Sequence, residues 1–341
     1  MDFIDFRQKI LISTGIYPPK IGGPAQYAKN LKEEFERMGH EVTVKTFNVE
    51  NYLPSGIRHV YFFIKIIPAV FRSKMIFILD TFSVGLPTVL ACKIFGKKSV
   101  IRTGGDFLWE QYVERTGKKV LLRNFYEEEK GNFSRKDKII FNLTKWTLAN
   151  VSKIIFSTEW QRDIFIKAYG VKIEKTSIVE NYYGPKENSL NPSRKIFVVS
   201  SRDLRWKNIT LLRKVFTRIK ADHPEVDLFT DNIPFTDFMK KVEGCYATIQ
   251  VSLGDISPNL ILDSIRHNKP FICTREVGVY DRIKDAGVFI DPLDESEIEK
   301  TVIDLLDENN YKTAVEKVKN LSFTHTWKQI AVEFLDVFKT L

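Results

Sequence analysis

"KILISTGIYPPKIGGPAQYAKNLKEEFERMGHEVTVKTF" (residues 9–47) carries three patterns in succession. "KILISTGIY" is a short apolar run that reaches a glycine. Tyr27, Leu31, Phe35 and Met38 then recur at helical spacing, and the pattern stops at Gly39. "EVTVKTF" alternates apolar and polar residues as a half-buried strand does. Strand, Gly-rich loop, helix and strand in this order predict a right-handed crossover unit of parallel sheet.

The pattern repeats outward from there. "MIFILD", "KSVIRTGGD", "KIIFST" and "TSIVEN" are further short apolar runs, each ending in polar residues or glycine. The first half therefore reads as a doubly wound domain with its loops gathered at the strand C-termini. "YYGPKENSLNPSRK" (182–195), rich in Pro, Asn, Ser and charge, reads as a linker. After it come "IFVVSSR", "VDLFTD", "YATIQVSL" and "PFICTREVG" as strands, with helical patterns between them. The expected fold is α/β: two Rossmann-like doubly wound domains, 1–185 and 186–322, facing across a cleft. The amphipathic tail "TWKQIAVEFLDVFKTL" (residues 323–341 hold it) is expected to return to the first domain as a helix.

Composition narrows the function classes. A chain of 341 residues is long for one core. Its 43% hydrophobic and 28% charged residues are those of an ordinary globular protein. A net charge of +9 favours an anionic partner such as a nucleotide, a nucleic acid or a membrane surface. The three cysteines lie far apart and match no metal spacing, so buried thiols in a reducing compartment are expected. The start "MDFIDFRQKILIST" lacks the basic opening of a signal peptide, and no apolar run approaches the roughly 20 residues that span a bilayer. A cytoplasmic location is expected, with peripheral contact at the inner membrane face.

Three short motifs carry chemistry. Gly22 and Gly23 stand just before a helix, where the backbone can approach a ligand and the helix N-terminus favours negative charge; on these residues alone a plain structural turn is the simpler reading. "VVSSRDLRWKN" (198–208) places Arg202 and Lys207 in the loop leaving a strand. Two cations five apart there suit a diphosphate, although with Arg205 between them they also fit a solvated basic loop. "VSLGDISPNLILDSIRHNKPF" (251–271) reads as strand, loop and helix, with Ser257 as the expected N-cap and Pro258 as first helical residue. The free amides near Asn259 and Leu260 suit an anionic or hydroxyl-rich ligand. Asp255, in the loop, suits sugar hydroxyls or caps the helix. Asp263, one to two turns in among Ile261, Leu262 and Ile265, is a carboxylate in a mostly buried helix, which is costly without a partner.

These residues together resemble the retaining glycosyltransferases of family 4, which have the GT-B fold. "KIGGPAQY" resembles the family's Gly-Gly loop after the first strand, and "SSRDLRWKN" its Arg and Lys after the first strand of the second domain. "DISPNLILDSIRHNKPFI" resembles its acidic pair separated by seven residues, and "TREVGVYDRI" the segment beyond. The likeness runs in order along nearly the whole chain. It implies a hexosyltransferase that moves sugar from a nucleotide diphosphate sugar, UDP-linked by the family's habit, to a glycan or lipid-linked acceptor in cell-surface polysaccharide or glycoconjugate synthesis. It implies no metal and no separate cofactor. Arg202 and Lys207 would hold the diphosphate, Asp263 the ribose, and Asp255 hydroxyls of the moving sugar. The amides of Asn259 and Leu260 would face phosphate or sugar, and Gly22 and Gly23 would admit donor and acceptor.

The chain departs from the family in two places. Both acids are Asp where Glu is usual, so each reaches about one methylene less. Where many relatives carry a His after the fourth strand, "IRTGGDFLWEQY" offers Gly104, Gly105 and Asp106. Asp106 either takes over contact with sugar or acceptor or caps the next helix. A non-catalytic nucleotide-sugar sensor and a nucleotide-sugar 2-epimerase are the alternatives; the five histidines offer the epimerase no evident pair. Nucleic-acid binding is not expected, since no recognised module is present. "HVYFFIKIIPAVFRSKMIFIL" (59–79) reads first as a core helix next to a buried strand, and second as an amphipathic segment resting on an anionic leaflet, a long version of which Pro68 would interrupt.

Overall fold

The computed structural model describes residues 7–20, 22–200 and 203–341. The chain divides into two compact units. The first takes residues up to Leu108, Asn132–Tyr182 and His325–Leu341; the second takes Trp109–Gly131 and Tyr183–Thr324.

The first unit holds a six-stranded sheet in the order β2-β1-β3-β4-β5-β6. Its strands are β1 (Lys9–Thr14), β2 (Glu41–Thr46), β3 (Met75–Ile78), β4 (Val100–Thr103), β5 (Lys153–Phe156) and β6 (Thr176–Ile178). Every pairing is parallel. Parallel strands are covered on both faces, so the inner ones read as unbroken apolar runs: Ile10, Leu11 and Ile12 are buried, as are Ile76, Phe77 and Ile78. Only β2, at the sheet edge, alternates.

Helix α1 (Gly23–Arg37) turns Tyr27, Leu31 and Phe35 inward, as its spacing predicts. The last helix, Trp327–Lys339, packs Ile330, Ala331 and Phe334 against the same core, and burying Phe334 is worth about 2 kcal/mol. Helix α2 (Ser55–Arg72) corrects the reading of 59–79, because it runs through Pro68 without ending. Pro68 lies on the exposed side, where the backbone carbonyl it leaves without a partner can bond to water. Helix α3 (Gly85–Ile94) packs beside α2.

The second unit holds a five-stranded sheet in the order β11-β10-β9-β7-β8. Its strands are β7 (Lys195–Val198), β8 (Val226–Phe229), β9 (Ala247–Gln250), β10 (Phe271–Thr274) and β11 (Val288–Ile290), again all parallel. In both units the strand order reverses beside the first strand. The chain goes from β1 to β2 on one side and then crosses to β3, and from β7 to β8 and then crosses to β9. Loops leaving the two strands at such a reversal diverge and leave a crevice at the carboxyl edge, where ligands of doubly wound sheets bind.

Candidate functional site

In the second unit the loops leaving β7, β9 and β10 meet at that edge. The loop after β7 closes with one 3-10 turn, Arg205–Lys207, and Asn208 follows in the left-handed region at φ 57°. This turn draws Lys207 inward, so the loop is not simply solvated: Trp206 and Lys207 are both buried, and the ammonium stands 4.3 Å from the centre of the Trp206 ring. The loop after β9 returns to it, Leu253 donating its amide to the Trp206 carbonyl at 2.8 Å.

Asp255 follows two residues later. Its carboxylate accepts from Lys207 Nζ at 2.7 Å and Gln250 Nε2 at 3.0 Å through Oδ2, and from the Ser257 amide at 3.2 Å through Oδ1. Its backbone bridges to the β10 loop: the amide donates to the Glu276 carbonyl, and the carbonyl accepts from Gly278. A cation from β7 and an acid from β9, 48 residues apart in sequence, thus form an ion pair across the reversal of strand order.

Ser257 is not the N-cap. The helix begins at Asn259 with Pro258 in the cap position, and Ser257 Oγ is buried with no partner among the described residues. Pro258 fixes the approach to the helix by its backbone alone, and the Ser257 amide is already committed to Asp255. Asn259 and Leu260 are first-turn residues, so their N–H groups have no carbonyl one turn back.

Asp263, one turn on, does not join Lys207 and Asp255. It accepts from Arg266 at 3.1 Å, and Arg266 also pairs with Glu187 of the linker. Burial pushes the Asp263 carboxyl up to about 7. The folded state therefore holds a proton there that the unfolded chain has already lost, and stability falls as pH rises from about 4 to about 7. Asp263→Asn should flatten that fall, read as the urea midpoint against pH; parallel curves for the two proteins would contradict it. Arg202 lies outside the described residues.

Sequence reasoning missed a third component. Trp109–Gly131 follows β4 in the chain yet packs on all three loops of this site. The Arg205 amide donates to Glu114 Oε1 at 2.7 Å, and the rings of Trp109 and Trp206 lie 5.7 Å apart. Leu122 donates its amide to Leu253 at 3.1 Å. The approach at Gly254 is so close that a Cβ there would stand 2.5 Å from Leu122 Cβ. Arg123 Nε reaches Glu276 Oε2 at 2.7 Å. Burial raises the Glu276 carboxyl, and Arg123 draws it back down. Arg123→Ala should lower stability by about 1 kcal/mol at neutral pH and by less in acid, where Glu276 takes up a proton; equal loss at both would contradict the pairing. None of these contacts left a local trace in the sequence; Gln250, the further donor to Asp255, did, as a polar side chain closing an apolar strand.

The first unit has its own polar edge. Gly22 adopts φ 151° and ψ 156°, a region open in practice only to glycine, and Gly23 is the first residue of α1. Across the β1/β3 reversal the Asp80 carboxylate accepts from the amides of Phe82, Val84 and Gly85 and so caps α3. Arg102, the one charged residue of β4, is buried with its guanidinium 4.0 Å from the Tyr27 ring centre. It donates to Ser157 Oγ at 2.9 Å and Asn181 Oδ1 at 2.5 Å. Asp106 is buried in the residue before helix α4 (Phe107–Thr116).

No protein-family model matches the chain. No curated protein matches it either. Solved structures do. Sucrose-phosphate synthase (tll1590) from Thermosynechococcus elongatus superposes with a TM-score of 0.70 at 13% identity, over 98% of this chain and 99% of that one. Anabaena Alr3699/HepE in complex with UDP-glucose gives 0.67 at 13%, over 98% and 100%. The lipopolysaccharide outer core galactosyltransferase WaaB in its apo form gives 0.64 at 12%, over 98% and 100%. These likenesses fix the fold: two parallel, helix-flanked sheets of six and five strands in the GT-B arrangement.

Proposed function

We propose that this chain is a retaining glycosyltransferase of the family 4 type, taking a UDP-linked sugar as donor and a glycan or lipid-linked acceptor. The observation that carries the reading is the Lys207–Asp255 ion pair at the strand-order reversal of the second unit, with the first-turn amides of Asn259 and Leu260 beside Asp255 in the chain. One cation for a diphosphate, one acid for sugar hydroxyls and two backbone donors make a set of the kind a nucleotide sugar needs. HepE, of similar fold, binds UDP-glucose.

In this reading the bond between the anomeric carbon and the diphosphate oxygen breaks with its electron pair on the phosphate. The acceptor hydroxyl bonds to the same face of the sugar, and its proton passes to a phosphate oxygen. Lys207, with Arg202, neutralises the charge that grows on the leaving group, and Asp255 holds the sugar hydroxyls. Donor entry has Lys207 divide its hydrogen bonds between Asp255 and phosphate. Asp263 turns from Arg266 to the ribose, so Asp263→Asn should weaken donor binding; a change confined to acceptor affinity would count against that role. Gly22, Gly23 and Asp106 serve the acceptor side and the approach of the sugar. No metal or separate cofactor enters this scheme.

The site of action would be cytoplasmic, in glycoconjugate or polysaccharide synthesis, with the chain peripheral to the membrane. Among the described residues no helix is long and apolar enough to cross a bilayer. The test is a panel of UDP-, GDP- and ADP-sugars read by thermal shift and by nucleotide release. A true donor should raise the melting temperature by mass action and be turned over. A sugar nucleotide that stabilises but is never consumed would favour the sensor, and epimerised donor would favour the epimerase.

A further inference from the structure

The outer face of α2 is apolar from end to end. Its exposed positions Ile57, Val60, Tyr61, Ile64, Pro68 and Phe71 recur every three or four residues as one stripe. Ile57 is 57% exposed, Val60 61%, Ile64 62% and Phe71 67%. The opposite face, with Phe62, Ile66 and Val70, is fully buried, so the fold already uses the other side of this helix as core. The stripe extends at its far end onto α3, where the Phe71 and Phe95 rings meet edge to face at 6.4 Å and Ile94 is 59% exposed.

Exposed charge along this stretch is mainly basic, although Lys65 is paired with the buried Glu50 and Arg102 is itself buried. Between residues 51 and 105 there is a single acid, Asp80, against eight Lys or Arg. Asp80 is committed to capping α3. Arg72, Lys74 and Lys98 are exposed near the end of the stripe, and the Lys97 ammonium stands 5.9 Å from the Phe71 ring centre. A convex apolar ridge with a basic border fits a lipid leaflet bearing negative headgroups, where rings and aliphatic side chains enter the interface and cations stay with the phosphates. A second copy of the chain fits poorly, since an isologous contact would bring two basic borders together.

We propose that the outer face of α2, continued by Ile94 and Phe95, docks the protein onto an anionic lipid leaflet. This deepens the lipid-linked acceptor reading, yet its test needs neither donor nor transfer, so either can fail alone. The full chain is sedimented with vesicles of phosphatidylcholine mixed with phosphatidylglycerol, and with phosphatidylcholine alone. Binding to the mixed vesicles should exceed binding to the neutral ones by about tenfold or more and weaken with salt. The triple variant Ile57→Ser, Ile64→Ser, Phe71→Ser should lose about tenfold of that binding while melting like the parent, since all three side chains are largely in solvent. The pair Arg72→Ser, Lys98→Ser, which leaves the apolar stripe intact, should lose affinity for the mixed vesicles alone. Failure of the parent to bind, or binding by both variants as tight as the parent's, would overturn the proposal. So would a concentration-dependent dimer that the triple variant abolishes, because the stripe would then belong to a second copy.

Discussion

Lys207→Ala should lower turnover of the nucleotide-sugar donor by about two orders of magnitude or more, equivalent to about 3 kcal/mol of lost transition-state stabilisation. Lys207 is buried and held against Trp206, so its ammonium acts where water screens it little. Its attraction to phosphate grows as the glycosidic bond breaks, so the loss should fall on kcat more than on KM. The fold should lose less than in the reverse substitution: Asp255 keeps the Gln250 side chain and the Ser257 amide as donors, so the melting temperature should fall, but by less than in Asp255→Ala. Arg202→Ala is expected to act in the same direction. Unchanged kcat in both variants would remove the diphosphate assignment.

Asp255→Ala should do more damage, because it strikes stability harder as well as turnover. It leaves the Lys207 ammonium buried with an aromatic face in place of a carboxylate, and such an orphaned charge costs about 3 kcal/mol or more. Donor turnover should fall together with stability, as the sugar loses its acceptor of hydroxyl protons. The two effects separate in the double variant Lys207→Met, Asp255→Leu. With both charges gone, most of the lost stability should return, while turnover stays abolished. A double variant that melts as low as Asp255→Ala would show that the ion pair is not what the single variant disturbs.

Much of the fold was legible because parallel strands covered on both faces must be apolar throughout, and helices beside them must show one apolar stripe. β1, α1 and β2 follow their patterns closely. β11 was not legible: Val288–Ile290 is three residues long, too short for any periodicity. Pro68 misled because, on the exposed side of a helix, a proline can leave its partner carbonyl to water and the helix can bend enough to continue past it. Ser257 misled because residue type favours a cap, whereas the helix starts one residue later, with Pro258 in the cap position and no side-chain cap.

The candidate site was legible as residue types and not as geometry. Spacing named Lys207 and Asp255 but could not say that two side chains 48 positions apart in sequence come within 2.7 Å of each other. Asp263 drew notice for its apolar neighbours, while the partners that hold it, Arg266 and through it Glu187, lie on its own helix and in the linker. The packing of Trp109–Gly131 on the loops of the second sheet left no local mark at all. It arises from contacts such as Leu122 on Gly254 and Arg123 on Glu276, each far apart in sequence.

The central claim is that one nucleotide sugar binds where β7 and β9 part company in the second sheet. A crystal structure of the full chain with a turned-over donor, or with its nucleoside diphosphate, tests it most directly. The account predicts diphosphate oxygens within hydrogen-bonding reach of Lys207 Nζ, with sugar hydroxyls at Asp255 and ribose at Asp263. Nucleotide bound elsewhere, with the Lys207–Asp255 pair left closed, would contradict it.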